Sequence, residues 1–197
     1  MARDAIRGGL ARERNRDTRG AFLIALGIAA DPRAESGLKY ELAHSGDART
    51  RSLAAVALAL AMDDAARLDL RRALADERSP EGRIAMAQAL AHLGESSGPD
   101  RGEDADLLYA VLADTGNPQL QAGIAAALAA QGSLAGLDHL AAALEGDDVG
   151  ATPRAAALQA VGALLDEEPP FALAALSQHA NFAAFPDWIH GPLTSSL

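Results

Sequence analysis

Leucine recurs in this chain at a spacing too long for one helix or strand and too regular for chance, and that recurrence constrains the fold most. Leu26, Leu58, Leu90 and Leu128, followed by Val161, stand at successive separations of 32, 32, 38 and 33 residues. Leu42, Leu74, Leu112, Leu144 and Leu176 form a second series at 32, 38, 32 and 32. The long step in each series spans residues 95–103, whose Ser, Gly and Pro content marks a loop with about six extra residues. A period in this range is the signature of a supersecondary unit that cannot bury its apolar face alone and stacks on its neighbours.

Composition says what the unit is made of. Apolar residues are 49% of the chain and aromatic residues only 4%. The hydrophobic content is therefore mostly Ala and Leu, strong helix formers, and the alternating β-branched runs that strands need are absent. Each repeat reads as two helices. The first starts at a turn or capping residue: Asp47, Ser79-Pro80, Asn117-Pro118 and Thr152-Pro153. Pro at the first helical position costs no intrahelical hydrogen bond, and the preceding polar side chain caps the free N–H groups. The second helix is shorter, expected around 38–43, 65–75, 104–113, 134–144 and 171–179. A helix this short is marginal in water and must bury its apolar stripe against others. Leu10 lies 32 residues before Leu42, so residues 1–14 read as a half-repeat cap. Repeats occupy 15–180 within a single domain, and 181–197 form a capping tail. That tail and the last helix carry Phe171, Phe182, Phe185 and Trp188.

In the longer helices Arg19, Arg51, Arg83, Gln121 and Arg154 hold one register, and Asp76, Asp114 and Asp147 precede the last three by seven residues. This pattern resembles the HEAT repeat, in particular the short Ala-rich bacterial HEAT-like repeats of the phycobilisome lyase type, over residues 10–180. The resemblance implies an all-α fold, an α-α superhelix (α-solenoid) of about five HEAT-like helical hairpins. It also implies that the Asp and Arg positions form a structural ladder between adjacent repeats. The sequence departs from the ladder at Arg12 and His44, where Asp would stand, and at Gln121.

The residues offer little catalytic chemistry. There is no cysteine, hence no thiolate nucleophile and no Cys-containing zinc site. The five histidines, His44, His92, His139, His179 and His190, include no pair at the helical spacing that presents two ligands together. No Gly-x-Ser-x-Gly elbow or phosphate-binding loop occurs. The paired carboxylates Asp63-Asp64, Asp147-Asp148 and Glu167-Glu168 fall at turns between helices. No enzymatic activity, cofactor or metal is therefore expected.

Charge is unevenly distributed. Of 17 basic residues 16 lie within 1–101, beside 15 of the 27 acidic ones, so residues 102–197 carry one basic and 12 acidic side chains. Such a second half repels polyanions, which disfavours nucleic acid despite the Arg-rich N-terminal half. The first ten residues carry charges where a signal peptide needs an apolar run, and no stretch is long and apolar enough to span a membrane. The expected compartment is the cytoplasm.

What remains is recognition. With Arg51, Ala54, Ala55, Leu58 and Met62 facing inward, a period of 3.6 residues puts Arg49, Leu53, Val56 and Leu60 on the opposite face. Their counterparts one repeat earlier are Asp17, Ile24 and Ile28, and one repeat later Glu81, Gln88 and His92. In HEAT-like folds this face lines the concave surface. Ile24, Ile28, Arg49, Leu53, Val56, Leu60, Gln88 and His92 are accordingly the candidate contacts for a protein or peptide partner, in a non-catalytic scaffold that is also compatible with a homo-oligomer. The equal alternative is that superhelical curvature brings these helices together and buries the apolar members in the core. Two further readings follow from the resemblance and the charge: a pigment-attaching or chaperone-like factor akin to phycobilisome lyases, and nucleic-acid binding through the basic half.

Overall fold

The computed structural model describes residues 2–61, 64–94, 101–145 and 151–165. Among these it is all-helical, with packed neighbouring helices and no strand. The chain divides into two compact units, Met1–Ser96 and Ser97–Leu197, and the division falls inside the stretch read as an insertion.

The first unit contains α1 (Ala2–Arg12), α2 (Arg16–Ile28), α3 (Glu35–His44), α4 (Ala48–Leu60), α5 (Arg67–Asp76) and α6 (Pro80–Gly94), with a 3-10 turn at Asp64–Ala66 leading into α5. Helix α2 packs on α1 and α4, and α4 packs on α3 and α6. Helix α3 also touches α5, which in turn lies against α6. The second unit contains α7 (Arg101–Asp114), α8 (Pro118–Gln131), α9 (Leu134–Glu145) and α10 (Ala151–Leu165). There α8 packs on α7, α9 and α10, while α9 touches α7 and α10.

Helix starts follow the local chemistry. The side-chain oxygen of Asn15 accepts from the backbone N–H groups of Asp17 and Thr18, Asp47 accepts from Thr50, and Asn117 accepts from Gln119 and Leu120. The Ser79 hydroxyl accepts from the Gly82 N–H at 3.0 Å. Each cap occupies donors that the first helical turn leaves without partners. Helix α8 ends on Gly132 at φ 61°, a left-handed conformation that glycine adopts without steric cost. Two starts differ from expectation. Helix α7 begins at Arg101, inside the inserted stretch, and α10 begins at Ala151, just before Thr152. The expected helix 171–179 and the tail 181–197 lie outside the described residues.

Both leucine series point inward over most of their length. Leu26, Leu58, Leu90 and Leu128 are buried, as are Leu42, Leu74 and Leu112, whereas Leu144 and Val161 are half-buried. Burying one such side chain contributes about 1.5–3 kcal/mol. Alanine and glycine let the longer helices approach closely. A Cβ on Gly27 would stand 2.5 Å from the Ala57 carbonyl oxygen, so α2 and α4 touch backbone to backbone at that point.

Candidate partner-binding face

The candidate contacts lie in the first unit on α2, α4 and α6. Positions 17, 49 and 81 form one row at 32-residue intervals, 24, 56 and 88 a second, and 28, 60 and 92 a third. The guanidinium of Arg49 reaches Asp17 at 2.8 Å, joining equivalent positions on α4 and α2. The row spacing in sequence thus corresponds to lateral neighbours on packed helices.

Along this face polarity changes. Its N-terminal end carries the Arg49–Asp17 pair and exposed Glu81. Ile24, Val56 and Leu60 are half-buried, and Ile28 is 70% exposed at the C-terminal end of α2. On α6 the corresponding places are half-buried Gln88 and His92. The Gln88 amide nitrogen is buried without a hydrogen-bond partner among the described residues. Leu53 belongs elsewhere. It is 5% exposed, and its Cδ1 lies 2.5 Å from where a Cβ on Gly20 would be. The missing side chain at Gly20 lets Leu53 enter the α2–α4 interface, so it is core rather than surface.

Several ladder residues bridge repeats through partners that the sequence did not specify. Arg51 donates from Nε to Glu77 Oε2 at 2.8 Å and from a terminal nitrogen to the Ser45 carbonyl at 2.8 Å. Arg19 pairs with the Glu41 carboxylate and donates to the carbonyls of Leu10 and Glu13, each at 3.1 Å. Gln121 is buried and donates to the Thr115 carbonyl at 2.6 Å. All three therefore bind the carbonyl six residues upstream, which an amide can do as well as a guanidinium. The carboxylate engaged by Arg51 is Glu77 and not its exposed neighbour Asp76. Asp114 is also exposed, Arg83 and Arg154 are half-buried, and Asp147 lies outside the described residues.

Glu77 shows the electrostatics of this joint. Its side chain is 2% exposed, and burial alone would raise its pKa. The Ser79 N–H, the Arg51 guanidinium and the Arg78 N–H outweigh burial and hold the carboxyl below its ordinary value of 4.5.

A second set of ties escaped the sequence reading. Arg7 pairs with buried Asp31, and Lys39 donates to the Ala65 carbonyl at 3.1 Å. Arg7, Lys39 and Arg71 recur every 32 residues, a signal that was available in the basic residues alone. In the second unit His139 Nε2 lies 2.8 Å from Asp106 and stacks on Tyr109 at 4.4 Å between ring centroids, joining α9 to α7. Among the described residues no three His, Cys, Asp or Glu side chains are grouped to hold a metal ion, and no helix is long and apolar enough to cross a membrane.

No family model matches the chain, and comparison with curated proteins finds no match.

Proposed function

We propose that the chain is a HEAT-like α-solenoid that acts as a non-catalytic, cytoplasmic scaffold for protein–protein interaction. A partner helix or extended peptide lies across the longer helices, against Ile24, Ile28, Val56 and Leu60, with the Arg49–Asp17 pair and His92 at the margins. The observation that carries this reading is the three-row alignment of equivalent positions on adjacent helices, with Ile28 exposed at the end of its row. Apolar side chains displayed in register across neighbouring helices suit an elongated partner better than a small ligand.

The test is affinity capture from the source cell followed by mass spectrometry, comparing the wild type with Ile28→Asp/Leu60→Asp. The double variant is expected to lose the captured partner while keeping its helical circular dichroism. Leu53→Asp serves as the contrast, because a charge placed in the α2–α4 interface unfolds the unit. Retained capture by the folded double variant contradicts the assignment of this face.

A further inference from the structure

Two clefts recur one repeat apart in the first unit, away from the rows just described. One, of about 370 Å³, is lined by Ala11, Arg19 and Tyr40; the other, of about 490 Å³, presents Ala43, Arg51 and Arg72 at the same positions shifted by 32 residues. They differ in what their charges are doing. In the smaller cleft Arg7 is engaged by Asp31 and Asp4, Arg19 by Glu41, and Arg33 faces Asp4 at 3.8 Å. Its arginines are occupied.

In the larger cleft the accessible apolar surface of the floor is that of Ala43 and Ala73, while Leu42 and Met86, which also border it, are buried. Arg51 is satisfied by Glu77, and Asp69 shares the Lys39 ammonium at 3.5 Å. Arg72 and Arg78 are exposed at the mouth, and neither guanidinium has a partner among the described residues. Asp76 is the one uncommitted carboxylate among the lining residues. Two unengaged cations against one anion, around an apolar floor, ask for a ligand that brings both a carboxylate and a hydrocarbon side chain. A nucleic-acid backbone would supply charge but nothing for the floor, and Asp76 would repel a dense polyanion.

We propose that the cleft between α3 and α5 binds a short acidic peptide segment, seating one bulky apolar side chain on the floor and pairing a flanking carboxylate with Arg72 and Arg78. This surface is distinct from the face of the longer helices, and its occupation does not depend on that face being used.

The full-length protein is panned against a displayed library of random dodecapeptides, and the best binder is synthesised with a fluorophore for anisotropy titration. Enrichment of peptides that place Asp or Glu beside Leu, Met or Phe is expected. Arg72→Glu/Arg78→Glu should weaken the synthetic peptide roughly tenfold or more, the milder Arg72→Gln/Arg78→Gln less, and added salt should weaken the wild type. Since both guanidinia are exposed and unengaged, the melting temperature should not move, and Ile28→Asp/Leu60→Asp should bind the peptide as the wild type does. An enriched set with no acidic bias, undiminished binding by the folded Arg variants, or competition by succinate as strong as by the peptide would overturn the proposal.

Discussion

Glu77 makes three kinds of contact at once: it accepts from a guanidinium on α4, it accepts from the N–H groups of Arg78 and Ser79, and it is almost wholly removed from water. Because its pKa in the folded chain lies below 4.5, its contribution is fully present above the unfolded value and is lost as pH falls through the folded one. Glu77→Gln should therefore cost about 1.5–3 kcal/mol at neutral pH, the range for hydrogen bonds to a charged group, and the gap to the wild type should narrow below pH 4.5. Thermal melts of both proteins across that range check this, and parallel curves would refute it. The sequence made Arg51 conspicuous through its 32-residue recurrence, but it could not say which carboxylate answers. Glu77 and Asp76 are adjacent, and the choice is set by which one the turn after α5 directs inward. The sequence left open whether Leu53 faces outward or lies in the core for a related reason. A helical wheel locates a side chain on its own helix, whereas burial here depends on Gly20 of the neighbouring helix leaving room.

At the scale of elements much more was legible. Capping residues and N-terminal prolines act within one helical turn, so Asp47, Ser79 and Asn117 mark helix starts without reference to the rest of the fold. The start of α7 was less legible, because Arg101 to Glu103 share the polar composition of the preceding loop while already being helical. How closely two helices approach was not legible from either helix alone. At Gly27 the backbone of α4 leaves no room for a side chain. Gly27→Val is expected to force α2 and α4 apart and destabilise the chain by about 1–3 kcal/mol or more. Denaturant unfolding measures this, and an unchanged midpoint would show that the two helices do not meet as described.

At the scale of the molecule the 32-residue period makes a stronger statement than any single contact. If consecutive hairpins are interchangeable modules, then one can be removed whole and the next will take its place. Excising residues 48–79 joins Asp47, already an N-cap, to Pro80, so that α6 replaces α4 beside α2. Ala89 then stands where Ala57 met Gly27, Ala85 stands where Leu53 filled the space over Gly20, and Arg83 stands where Arg51 was. Removing half a unit, residues 64–79, instead leaves two long helices in succession with no short helix to cover them. Circular dichroism with thermal unfolding of the two deletions is the most direct test of the repeat architecture. The whole-unit deletion should keep its helicity per residue and melt cooperatively at a lower temperature, while the half-unit deletion unfolds or aggregates. Equal behaviour of the two, or collapse of the whole-unit deletion alone, would contradict it.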